Sequence, residues 1–176
     1  MRPLICHPAT PSVAVQDLRA ALTRQPEGGV RLRYRLQADL AQLRIPSVLP
    51  STRADRLWEH TCFEAFFTTP QGAAYYEYNF SPSSQWAAYA FTAYRHPSVW
   101  ALPQAPEMTV TQTATVLQLE VYLAALPPIF AQQVWVCGLS AVIETTAGGL
   151  SYWALAHPAQ RPDFHQREGW LYVIGT

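Results

Sequence analysis

Lysine is missing altogether, and all 12 basic residues in the 176-residue chain are arginine. Schiff-base chemistry and a P-loop lysine are therefore excluded. Charge of either sign is scarce, at 14% of residues, against about 25% in ordinary globular chains. The 12 acidic residues cancel the 12 arginines. A neutral chain has no long-range attraction for phosphate backbones or anionic lipids, so nucleic acid and membrane are not expected partners. No uncharged apolar run approaches the roughly 18 residues that would mark a spanning helix. The opening Met1-Arg2-Pro3-Leu4-Ile5-Cys6-His7-Pro8 has no apolar segment of signal type, and the expected location is cytoplasmic. Cys6, Cys62 and Cys137 are too few and too widely spaced for a disulfide framework or a zinc motif, and are expected to be reduced and mostly buried. The patterns G-x-S-x-G, G-x-G-x-x-G, H-E-x-x-H and C-x-x-C are absent as well, which disfavours an enzyme of a familiar class.

Apolar surface is plentiful: 49% of residues are hydrophobic, with 6 Trp, 9 Tyr and 7 Phe. No linker, repeat or charge run divides the chain, so residues 1–176 are expected to form one domain around one core. Period-two alternation marks strands at 30–36, with Arg31, Arg33 and Arg35 on the polar side, and at 117–123. The nearly continuous apolar run 135–143 suits a central strand covered on both faces. Segments 62–67, 75–80, 86–94, 108–113, 151–155 and 170–174 complete a set of nine. Residues 12–24 mix helical and strand spacing, and a strand is favoured. Proline and glycine clusters at 25–29, 69–72, 81–84 and 147–149 supply turns. Many short strands without interleaved helices imply an all-β antiparallel sandwich of jelly-roll type.

The densest chemistry lies between Arg53 and Arg95. Glu64 falls inside one expected strand; on the next, Tyr75, Glu77 and Asn79 share one face, Asn79 being the chain's only asparagine. A hairpin through 68–74 places Glu64 across from Glu77 or its neighbour, with β-carbons about 5 Å apart. Opposed carboxylates must share a proton, bind something, or meet a cation, for which Arg95 or the Arg31, Arg33 and Arg35 ladder would serve. The strand at 86–94 interleaves aromatics with alanines, leaving room for rings to lie flat. Trp58, Trp86 and Tyr89 are the candidate stacking surfaces for a sugar. Near the C-terminus, His157, Asp163 and His165 form the one group of metal-ligand type, although a structural metal site needs three or four ligands. The alternative there is a proline-bracketed loop pinned by Asp163 and folded back over the sandwich.

Three separated stretches carry a family resemblance. They are Leu57-Trp58-Glu59-His60-Thr61-Cys62-Phe63-Glu64-Ala65-Phe66, then Tyr76-Glu77-Tyr78-Asn79-Phe80-Ser81-Pro82-Ser83 with Trp86-Ala87, and Ser151-Tyr152-Trp153-Ala154-Leu155-Ala156-His157-Pro158 with Pro162-Asp163-Phe164-His165. Together they resemble the DOMON-like family, related to family 9 carbohydrate-binding modules. The resemblance implies a jelly-roll sandwich whose relatives bind sugars or haem. Calcium accompanies many of the sugar binders, but no Asp-rich loop occurs in this chain. Haem binders of the family use a Met and His pair, for which Met108 is the sole methionine after Met1.

The function expected is thus a ligand-binding module for a sugar or other small polar ligand, built on Trp58, Glu64, Glu77, Asn79, Trp86, Tyr89 and Arg95. Two alternatives stay open: a carbohydrate-active enzyme using the paired glutamates, since about 5 Å suits a retaining glycosidase, and a haem-binding domain.

Overall fold

The computed structural model describes residues 1–124, 126–127 and 134–175. Its strands are β1 (Arg2–Pro3), β2 (Ile5–Cys6), β3 (Val15–Arg24), β4 (Val30–Ala38), β5 (Cys62–Thr68), β6 (Tyr75–Phe80), β7 (Trp86–Ala93), β8 (His96–Ser98), β9 (Glu107–Gln112), β10 (Val116–Leu123), β11 (Trp135–Glu144), β12 (Leu150–Ala154) and β13 (Tyr172–Ile174). They form an antiparallel β-sandwich. One sheet has the order β1-β3-β4-β10-β9; the other runs β2-β12-β11-β5-β6-β7-β8, with β13 pairing with the free end of β11.

In the five-stranded sheet the alternation seen in the sequence becomes an inside and an outside. Val30, Leu32, Tyr34 and Leu36 of β4 and Leu117, Leu119, Val121 and Leu123 of β10 are buried against the opposite sheet. The arginines between them point outward, where Arg31 pairs with Glu120. The Arg31, Arg33 and Arg35 ladder therefore lies on the far side of the sandwich from Glu64 and Glu77 and cannot be their counter-charge. The mixed periodicity of 12–24 also has a cause. A register shift between Val15 and Asp17 opposite β4 inserts one residue, so Val15 and Leu18 both face inward. At the β3–β4 turn Gly29 adopts φ +75°, and a β-carbon there would lie 2.2 Å from the Leu123 carbonyl oxygen. Only glycine satisfies both conditions.

The eight-stranded sheet is covered on both faces. Phe63, Ala65 and Phe67 of β5, Tyr78 and Phe80 of β6 and Trp135, Cys137, Leu139, Ala141 and Ile143 of β11 face the other sheet. On the opposite face Phe66, Tyr75 and Trp170 form a second cluster, joined by Phe91, Val136 and Phe164. This cluster explains the apolar run of β11, since the C-terminal segment supplies its second cover. Trp170 fits because residue 138 is glycine: a β-carbon at Gly138 would stand 2.4 Å from Trp170 Cδ1. The indole stacks on Phe66 at 5.4 Å between ring centres, and its N–H donates to the Phe164 carbonyl at 2.8 Å. An indole buries roughly 150–250 Å², an upper value of about 4–6 kcal/mol at ~25 cal/mol per Å². Residues 161–170 are thus docked on the sheet, as Pro158, Pro162 and Phe164 suggest.

Candidate functional site

The residues on the face of the eight-stranded sheet that looks away from the other sheet form a lattice set by register. Ser140, Glu64, Asn79 and Ala87 lie side by side on β11, β5, β6 and β7; the next row is Gly138, Phe66, Glu77 and Tyr89. Glu64 is therefore opposite Asn79, and Glu77 lies one row further along. The hairpin sequence suggests Glu64 across from Glu77 or its neighbour; the register makes the two glutamates diagonal neighbours, because the pairing of Thr68 with Tyr75 closes the loop two residues away from direct opposition.

Above this lattice opens a cavity of about 360 Å³ lined by Glu64, Glu77, Tyr89, Phe91, Arg95 and Asp163, among others. Its floor is the two carboxyl groups. One wall is Trp58, 39% exposed, edge-on to Tyr89 at 5.8 Å between ring centres. Tyr89 is tethered at the rim, its hydroxyl donating to Asp55 at 2.9 Å. The opposite wall is the C-terminal loop, with Pro162, Phe164 and His165, and Tyr152 closes the side over Val142. The short turns between strands would leave a flat face; the docked loop makes it a pocket.

Arg95 anchors that loop. It occupies the left-handed region at φ +54°, a conformation costing a non-glycine residue about 1–3 kcal/mol unless its surroundings hold it. Here its backbone N–H donates to the Tyr75 hydroxyl at 3.0 Å, and its guanidinium donates to Asp163 at 2.8 Å. Asp163 also accepts from the Tyr94 hydroxyl at 2.6 Å, the Gln166 amide at 3.0 Å and the His165 backbone at 3.1 Å. These contacts hold its carboxyl below the usual carboxylate range against the opposing effect of burial.

Burial dominates the electrostatics of the floor. Glu64, 3% exposed, leaves Oε1 without a hydrogen-bond partner, and Ser140 Oγ beside it is likewise unpartnered. Desolvation, reinforced by the neighbouring Glu77, pushes the Glu64 carboxyl well above its ordinary value. Glu77 is raised to about 7 by burial, opposed by the Asn79 hydrogen bond and by Arg95. His165 moves the other way, to about 4, through burial and the positive Arg95. It is therefore neutral at pH 7. His165 Nδ1 lies 2.7 Å from the Tyr75 hydroxyl, which also accepts from the Arg95 backbone N–H. Its Nε2 stands 3.6 Å from Glu77 Oε2.

Of the residues singled out in the sequence, the structure gathers Trp58, Glu64, Glu77, Tyr89 and Arg95 around one cavity. Asn79 lies beneath it, fully buried, donating to Glu77 at 2.7 Å. Trp86 does not belong to it: paired with Phe80, it turns toward the core between the sheets. The metal-ligand group does not assemble. Asp163 and His165 meet at the cavity wall, but His157 bonds to the Ile5 carbonyl at 2.8 Å and packs on His7 at 4.8 Å. Among the described residues no three His, Cys, Asp or Glu side chains are grouped to hold a metal ion. Met108 sits on β9 of the five-stranded sheet, whereas His157 and His165 flank the other sheet, so these residues form no axial pair. Sequence reasoning missed Phe91, Tyr152 and Phe164 as cavity residues. The period of β7 carries Phe91 as it carries Tyr89, but nothing local signals where a distant loop docks.

No family model matches this chain, and no curated protein does. Among solved structures, the crystal structure of a putative carbohydrate-binding protein from Bacteroides uniformis is similar, with a TM-score of 0.72 over 96% of this chain and 83% of that one, at 12% sequence identity. At that identity the likeness shows a shared β-sandwich fold.

Proposed function

We propose that the chain is a non-catalytic binding module that takes a carbohydrate in the cavity over Glu64 and Glu77. The observation that carries this reading is the buried Glu64 carboxyl, with Oε1 unpartnered, lining a cavity walled by aromatic rings. A buried acceptor without a partner costs about 1–3 kcal/mol, which a ligand donor recovers on binding. The volume of about 360 Å³ falls at the small end of ligand pockets, which run from about 300 to 1,000 Å³. Trp58 and Tyr89 offer ring surface to the apolar face of a sugar, while Glu64, Glu77 and the guanidinium of Arg95 address its hydroxyls. The resemblance of three motifs to DOMON-like proteins and the fold shared with a putative carbohydrate-binding protein support the same assignment. The register that sets Glu64 against Asn79 removes the directly opposed pair on which the retaining-glycosidase alternative rests.

A glycan array followed by calorimetry tests the proposal. Binding of at least one mono- or disaccharide, weakened by Glu64→Gln, is the expected result. No binding at millimolar sugar rejects it, and turnover lost in Glu77→Gln with binding retained identifies an enzyme instead.

A further inference from the structure

We infer that the ligand presents a free, protonated amino group to the floor formed by Glu64 and Glu77, so that within the carbohydrate reading, on which this inference rests, the class is an unacetylated amino sugar. The argument begins with the charges that face Glu64. Its own strand contributes Cys62; β6 contributes Glu77 and the amide of Asn79; β11 contributes Ser140; β12 contributes Tyr152. Tyr34 reaches the Glu64 carbonyl from the opposite sheet at 2.7 Å. The turn after β7 brings Arg95, and the C-terminal loop brings Asp163 and His165.

Three of these groups are acids on the cavity, Glu64, Glu77 and Asp163, against a single cation, Arg95. That cation is already engaged by Asp163. His165 supplies no charge at neutral pH, so the two glutamates face the cavity without a cation of their own. An ammonium group has three donors and no acceptor, which suits one bond to the orphaned Oε1 of Glu64 and another to Glu77. A neutral hydroxyl offers one donor and carries no charge to favour ionised glutamates. The rings of Trp58, Tyr89 and Phe91 around the floor add attraction for a cation through their faces. In the free protein burial keeps protons on the glutamates. Entry of an ammonium favours the carboxylates, so the displaced protons leave to solvent.

Calorimetric titration with glucosamine, N-acetylglucosamine and glucose at pH about 6.5 tests the inference, with the first sugar repeated in two buffers of different ionisation enthalpy. Glucosamine is expected to bind at least about tenfold more tightly than both neutral sugars, the size of one added charge-assisted hydrogen bond, and to release protons. Glu64→Gln is expected to abolish the preference, glucosamine falling to the affinity that the same variant shows for the neutral sugars, and to remove the proton release. Equal or tighter binding of the neutral sugars overturns the inference and leaves the carbohydrate reading standing. Binding of none of the three at about 10 mM, with the protein folded, overturns both for these sugars, and the glycan array then decides the broader reading.

Discussion

The side-chain amide of Asn79 donates a 2.7 Å hydrogen bond to Oε1 of Glu77, two residues earlier on the same face of β6, with both residues buried. This bond stabilises the charged form of Glu77 and opposes the effect of burial. Asn79 is therefore a supporting residue under the cavity, one layer away from any ligand.

Asn79→Ala should remove that support. A buried acceptor left unpaired costs about 1–3 kcal/mol, and the Glu77 carboxyl should titrate at higher pH than in the parent. Chemical denaturation gives the first quantity and carboxyl carbon NMR the second. An unchanged Glu77 titration would show that the amide does not control it.

The pH dependence of stability has a sign that follows from the two glutamates and the histidine. Glu64 and Glu77 are raised above their unfolded values, so the folded state holds more protons and stability falls as pH rises, for Glu77 between about 4.5 and 7. His165, lowered from 6.5 to about 4, binds protons less tightly when folded, so its contribution rises with pH over that interval. The two effects oppose one another up to about 6.5, beyond which only the decline from the glutamates remains. With two glutamates against one histidine, stability should fall gently through mildly acidic solution and more steeply above about pH 6.5. The double change Glu64→Gln, Glu77→Gln should flatten the fall, as denaturation at a series of pH values would show; a parent stability that climbs from pH about 6.5 to 8 would contradict this.

Gly138→Ala places a methyl group 2.4 Å from Trp170 Cδ1. Overpacking of this kind costs about 1–3 kcal/mol, and because Trp170 holds Phe164 through its indole N–H, the cavity wall should loosen with it. A lower Tm and a red-shifted tryptophan emission are expected, with weaker sugar binding.

Trp58→Ala should separate binding from folding. Trp58 is 39% exposed at the cavity mouth, so its loss should change stability by no more than about 0.5 kcal/mol while reducing sugar affinity about tenfold, as removal of an aromatic anchor does. Calorimetry and thermal melting on one preparation measure both.

Much of this site was legible before the structure, because strand periodicity is a local property. The alternation of 75–80 places Glu77 and Asn79 on one face and Tyr78 and Phe80 on the other, and the structure agrees. Register and long-range docking are not local. The pairing of Glu64 with Asn79 depends on how the residues after Thr68 close the hairpin. Trp86 faces the core because Phe80 is its partner. The wall of the cavity depends on Trp170 finding Gly138, 32 positions earlier, a fit between two surfaces that neither segment announces. The short strands Arg2–Pro3, Ile5–Cys6 and His96–Ser98 carry too few residues to show a period.

The most direct test of the cavity as a carbohydrate site is a nitrogen–proton NMR titration of the intact protein with glucosamine and neutral sugars, following the indole signals. The expected result is saturable movement of the Trp58 indole and of the Arg95 and His165 backbone signals, with Trp135 and Trp153 in the core still. Movement confined to the five-stranded sheet, or no movement at about 10 mM sugar, where even a weak site of Kd about 1 mM would be filled, would contradict it.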